Sequence, residues 1–105
     1  MKTDLFNQPI SIDVGLLTIY FHIPDSHSLK DKRSAVKPIL ARLQNEFKIS
    51  AAEIAFQDRW QECLIACSIV SSDPAHITQV LQNVYQYVMD HFHHIIVSDH
   101  RIEIL

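Results

Sequence analysis

Apolar positions change their period along this chain, and the changes mark out six segments. Residues 14–23 are aliphatic, β-branched or aromatic almost without a break, and Pro24 ends the run, so a strand is expected there. Pro24-Asp25-Ser26-His27 reads as a loop. Ser28, with Asp31 three residues on, has the form of a capping box. A helix is therefore expected from Ser28 to about Phe47, with Val36, Ile39, Leu40, Leu43 and Phe47 on one stripe. Pro38 falls inside that helix, where a lost hydrogen bond and a ring clash cost ~3 kcal/mol. Two forms are open: a helix kinked at Pro38, or a separate turn over 29–33 with regular helix from near Ser34.

Residues 49–57 read as a second strand, Asp58-Arg59-Trp60 as a hairpin turn, and the nearly continuous apolar run 62–71 as a third strand. Ser72-Asp73-Pro74 is a strong helix start, because Asp73 can cap and proline suits the first helical position. The helix that follows places Ile77, Val80, Leu81, Val84, Val88 and Met89 on one face and Gln79, Gln82, Asn83, Gln86 and Asp90 on the other. After the histidine-rich stretch 91–94, residues 95–104 form the last expected strand. Residues 1–13, polar apart from Leu5, Phe6, Ile10 and Ile12, read as an N-terminal tail before a single domain over 14–105.

This order is βαββαβ, an α+β chain. Expected strands one and three are apolar on both faces, whereas two and four carry charge (Glu53; Asp99, Arg101 and Glu103). Charged strands suit sheet edges, where they discourage strand-to-strand aggregation. A right-handed crossover that leaves room for strand three between one and two then gives a four-stranded antiparallel sheet of order 4-1-3-2, the ferredoxin-like architecture. Both helices would cover one face of it. The other face, carrying Leu16, Thr18, Tyr20 and His22 or their alternates, would be left open, and an uncovered apolar face points to a homodimer. Single-stranded RNA stacking on sheet aromatics is a second use for such a face, but basic residues are missing from the central strands.

Composition narrows the chemistry. Gly15 is the one glycine, which excludes the glycine-rich phosphate loops. A net charge of −3 argues against general nucleic-acid binding, yet six of the nine Lys and Arg residues fall between Lys30 and Lys48. No apolar run approaches the ~20 residues that span a bilayer. Cys63 and Cys67 lie on one expected strand, four residues and ~13 Å apart, too far for a disulfide. They read as reduced core residues and suggest a cytoplasmic protein.

The topology collects distant segments at one end: residues 24–33, the hairpin 57–61 and the turn 91–94. Three readings of that end are open. His91, His93 and His94 can simply end a helix, with Trp60 packed on its own hairpin. The start of the first helix, with Lys30, Lys32 and Arg33, can hold a phosphate or carboxylate. The histidines can hold a metal, although they lack a recognisable ligand spacing and an acidic partner. No catalytic constellation stands out: Ser26, His27 and Ser28 are merely adjacent, and the cysteines read as buried. Acylphosphatases share the element order, but their arginine-bearing, glycine-containing loop after the first strand is absent.

Several motifs resemble the YlxP-like family of small bacterial proteins. They are Val14-Gly15 and His22-Ile23-Pro24 around the first strand, His27-Ser28-Leu29-Lys30-Asp31-Lys32-Arg33, Gln57-Asp58-Arg59-Trp60-Gln61, and the terminal Ile102-Glu103-Ile104-Leu105. The resemblance covers about 14–105; Pro38 and the cluster 91–94 lie outside its pattern. It implies a ferredoxin-like fold and no established activity. It also implies a link to translation, since such proteins are often encoded beside ribosome-maturation factors.

Its two most specific motifs are the two that the topology brings to one end. A structural version of that junction would have Arg33 reach Asp58 with Trp60 packed over the pair. The functional version is an anion or RNA site of His27, Ser28, Lys30, Lys32, Arg33, Gln57, Trp60 and Gln61. The leading expectation is a non-enzymatic, dimeric accessory protein that uses this end to bind RNA or a ribosomal partner, with no cofactor, metal or membrane involved. Alternatives are an enzyme or binding protein for a small phosphorylated molecule at the same end, and a purely structural homodimer.

Overall fold

Alternation along the central strand sets the layers. In β3 (Asp13–His22), Gly15, Leu17, Ile19 and Phe21 are buried while Leu16, Thr18, Tyr20 and His22 are half-exposed. A period of two with one face buried is what a sheet covered on a single side requires. The computed structural model describes residues 1–105. It is an α+β chain with two helices and six strands in two sheets.

The larger sheet has the order β4-β5-β3-β6, with β4 spanning Ser50–Ala55, β5 Glu62–Ser71 and β6 Ile96–Ile104. All three neighbouring pairs are antiparallel. Read from the other edge, this is the order expected from the placement of charged strands. The helices α1 (Leu29–Phe47) and α2 (Pro74–His91) pack on the inward face and touch one another. Between helices and sheet lies a core of 18 buried apolar residues, Cys63 and Cys67 among them. Burial pushes both thiols up, that of Cys67 to about 12, so they stay protonated and unreactive.

Helix α1 runs unbroken through Pro38, which answers the question the sequence left open. The proline and Ser34, the residue whose carbonyl it cannot pair, are both exposed, so water can satisfy that carbonyl. Lys48 ends the helix in the left-handed region, φ 55°, and its N–H returns to the carbonyl of Gln44. At the start of α2 the Asp73 carboxylate accepts from the N–H groups of Ala75 and His76, with Pro74 in the first turn. No helix is long and apolar enough to cross a membrane.

Two expectations need correction. The sequence points to a single sheet and a tail over 1–13; instead β1 (Lys2–Leu5) and β2 (Gln8–Ser11) form a separate two-stranded sheet. Phe6 and Asn7, at φ 54° and 61°, make a two-residue turn of the type that matches strand twist. That turn usually announces itself by glycine, and none is here. Glu53, whose charge pointed to an edge strand, does lie on the edge strand β4, but it pairs across to Ile65 on the inward side, and the extra residue Ile54 bulges out next to it.

Candidate functional site

The expected junction is built by side chain-to-backbone hydrogen bonds. The carbonyl of Gln61 accepts from the N–H of Ile23 at 2.9 Å. Its side-chain amide donates to the carbonyls of Pro24 at 3.1 Å and Ser26 at 2.9 Å. The 57–61 hairpin is thereby strapped to the loop before α1. Ser28 caps that helix by accepting from the N–H of Asp31 at 3.0 Å, and the Asp31 carboxylate accepts from the N–H of His27 at 3.0 Å. Ser28 is the N-cap read from the sequence; Asp31 reaches back one residue further than a capping box would, to His27, and its carboxylate lies where an anionic ligand would bind.

Lys32 is buried and not available to a ligand. Its ammonium lies 3.0 Å from the Glu53 carboxylate, with the side chain 3% exposed, and also donates to the carbonyl of Phe56. Phe56 holds φ 65°, and its carbonyl accepts from the N–H of Arg59 as well. Glu53 in turn accepts from the Cys63 thiol at 3.2 Å. A buried ammonium needs this much compensation, since desolvation of a lone charge is severe.

Of the eight anticipated site residues, Ser28, Lys32 and Gln61 thus hold the junction together, while His27, Lys30, Arg33, Gln57 and Trp60 face solvent. Trp60 is 54% exposed and stacks on no other ring. Arg33 forms no ion pair with Asp58. The remaining cations of the basic stretch are dispersed by the turn of α1. Arg42 goes to the helix–helix contact, donating to the Tyr87 hydroxyl at 2.8 Å. Lys30, Arg33 and Lys37 stay exposed and unpaired, and their spacing puts them on one stripe that begins beside the junction. Lys37 was not among the expected site residues; the three- and four-residue steps from Lys30 to Arg33 to Lys37 are the signal that finds it.

On the open face at the same end lies a network that sequence reasoning did not assemble. The Tyr20 hydroxyl donates to Glu62 at 2.9 Å and lies 3.3 Å from Nε2 of His22, whose Nδ1 is 3.0 Å from the Ser98 hydroxyl. Arg59 donates to the other Glu62 oxygen at 3.0 Å. The bonds from Tyr20 and then Arg59 hold the Glu62 carboxyl below its ordinary range, and the bond to Glu62 raises the Tyr20 phenol. Ser98 and His22 have the spacing of a nucleophile and base, but the imidazole meets a neutral phenol instead of a carboxylate, and Arg59 neutralises that carboxylate. The network orients the sheet's end. Next to it the face forms a shallow cavity of about 250 Å³ bordered by Thr18, Tyr20, Leu64, Asp99, Arg101 and Glu103. Strand alternation puts Tyr20 and His22 on one side; only the pairing of His22 with Glu62 brings in the carboxylate.

The histidines at 91–94 do not converge. His91 stacks on Tyr87 with centroids 4.0 Å apart and bonds that residue's carbonyl, whereas His94 lies 3.4 Å from the carbonyl of Ala35. Nowhere do three His, Cys, Asp or Glu side chains gather as metal ligands would.

Comparison with known proteins agrees with the motifs. Over 66 residues, 63% of this chain and 72% of the relative, the sequence is 41% identical to "Uncharacterized protein YlxP" of Bacillus subtilis (strain 168). The model of the family described as "Protein of unknown function (DUF503)" matches residues 14–101, nearly the whole body and none of the hairpin that precedes it. On that match the chain belongs to the DUF503 family.

Proposed function

We propose that this chain is a non-enzymatic accessory protein that binds RNA or a ribosomal partner through the end built by residues 27–33 and 57–61. One observation supports the reading above others: an exposed tryptophan, Trp60, stands on a hairpin strapped to the loop before α1, the helix that carries the unpaired cations Lys30, Arg33 and Lys37. An exposed aromatic and a cationic stripe at one end of the molecule suit a phosphate backbone with an accessible base. His27 and Gln57 would add contacts, and Ser28, Lys32 and Gln61 would hold the geometry. The reading includes a ferredoxin-like body, for which the sheet order speaks, a cytoplasmic home, for which two reduced cysteines speak, and a homodimer joined through the open sheet face.

The alternative of a small phosphorylated ligand at the helix start is disfavoured by Asp31, whose carboxylate already occupies that position. The test is a salt titration of binding to ribosomal RNA fragments. Lys30→Ala with Arg33→Ala should weaken binding and lower the salt slope by about 1 for each phosphate no longer neutralised. Trp60→Ala should cost ~1–3 kcal/mol at any salt concentration if a base stacks there. Affinity and slope unchanged in both variants would reject the reading.

A further inference from the structure

Apart from the Met1 ammonium, 3.3 Å from the Asp13 carboxylate at its root, the hairpin of β1 and β2 makes no contact with the body. Neither of its strands contacts any element of the body, and a two-stranded ribbon alone in water is marginally stable at best. Its turn residue Phe6 is 93% exposed and adjoins the exposed Leu5. Residues 8–22 run on from β2 into β3, a stretch of ~50 Å at ~3.3 Å per residue. The molecule measures 56 × 25 × 22 Å, so the hairpin continues the line of β3 as a projecting arm.

We infer that two copies of this chain pair by exchanging these arms across their open sheet faces, with Phe6 of each seated in the other's cavity beside Tyr20 and Leu64. The inference rests on the homodimer reading above and is independent of what the 27–33 end binds. Open apolar surface at the arm's root, that of Val70 and Leu105, is where a second copy would meet the first. Phe6 stands seven positions before Asp13 and Tyr20 seven after it. If a twofold axis passes near Asp13 with the two β3 strands antiparallel, an arm reaching ~23 Å beyond its own root ends ~23 Å inside its partner, over Tyr20.

The surface around the proposed axis fits the same arrangement. Val70 pairs with Val14 next to Asp13, and the N–H of Leu105 bonds the Val14 carbonyl at 2.8 Å. Both are large apolar residues left open, Val70 at 67% and Leu105 at 66%. They would be covered at the axis. The cavity, about 250 Å³, is bordered mostly by polar and charged residues; Tyr20 and Leu64 offer its apolar side to a phenyl ring, and Arg101 stands at its border to lie on an aromatic face. An arm alone offers about ten residues, fewer than the ~20–30 per side of a stable interface. Reciprocal exchange counts an arm and a face on each side, and so doubles the contact that one arm makes.

Sedimentation of the full chain across a concentration series, with the variant Phe6→Ala, tests this. A dimer whose Kd rises at least tenfold in Phe6→Ala is expected. A second experiment mixes two single variants, Phe6→Cys and Thr18→Cys, under mild oxidation. The native thiols are buried, so a disulfide-linked dimer should form from the mixture and from neither variant alone. A dimer that is insensitive to Phe6→Ala and gives no cross-link would overturn arm exchange and leave a homodimer through another surface. A monomer at all concentrations would overturn both.

Discussion

Gly15 lies on the inward side of β3 where α2 presses closest. A Cβ there would stand 2.1 Å from Cγ2 of Ile77 and 2.9 Å from Cδ1 of Leu81, so the one glycine of the chain serves close packing and not a turn. Gly15→Ala should therefore destabilise the fold by ~1–3 kcal/mol, read as a lower urea midpoint with unchanged slope. Glu62 makes a prediction about acid. Its folded pKa lies below the ordinary 4.5, so the ionised form favours the folded state. That stability is complete above 4.5 and disappears as pH falls through the lower, folded value. Glu62→Gln, which still accepts from Tyr20, should show a shallower loss of urea stability below pH 4.5 than the parent chain. Equal acid limbs would mean that Glu62 is not a source of the acid sensitivity.

At the scale of elements, Pro38 is a cost that α1 carries on its wet side. Replacing it by alanine restores a backbone donor to the Ser34 carbonyl and removes the ring, so Pro38→Ala should raise stability by ~1–3 kcal/mol, measured by urea unfolding. The buried thiols supply a separate readout of how the sheet opens. Labelling of Cys63 and Cys67 by a thiol reagent should be no faster than global unfolding allows, and should accelerate in Gly15→Ala in step with its lost stability. Most of these elements were legible in the chain. Alternation on β3, the N-cap at Ser28 and the Asp73-Pro74 start are local signals, and they placed both helices and the four body strands to within a few residues. The hairpin was not legible because its turn uses Phe6 and Asn7 at positive φ without glycine. Nor was the side on which Glu53 falls, because a sequence does not reveal a bulge.

Taken whole, the molecule separates supports from surfaces in a way that residue type does not announce. Topology alone brought 27–33 and 57–61 to one end, since element order fixes which loops meet. It could not assign their roles: Lys32 and Lys30 look alike in the chain, yet one is buried against Glu53 and the other is free. The open-face network needed the register between β3 and β5, a long-range property. The same separation makes the arm and the basic end independent devices. Phe6→Ala should leave RNA binding unchanged per protomer, and Lys30→Ala should leave the dimer unchanged, each checked in the other's assay.

The sheet order also governs how the chain is made. The central strand β3 is synthesised before its neighbours, yet both of them arrive late: Glu62 of β5 follows His22 by forty positions, and β6 is the last strand of all. At ~5–20 residues per second, β3 leaves the ribosome roughly 2–8 s before the first of β5 can pair with it. In that interval its aliphatic face and both backbone edges are unprotected, as a template for any passing strand. The sheet therefore closes late and in two steps, when β5 pairs with β3 and then when β6 docks on the other edge, and the nascent chain is most exposed to aggregation or to chaperones while α1 and β4 are being translated.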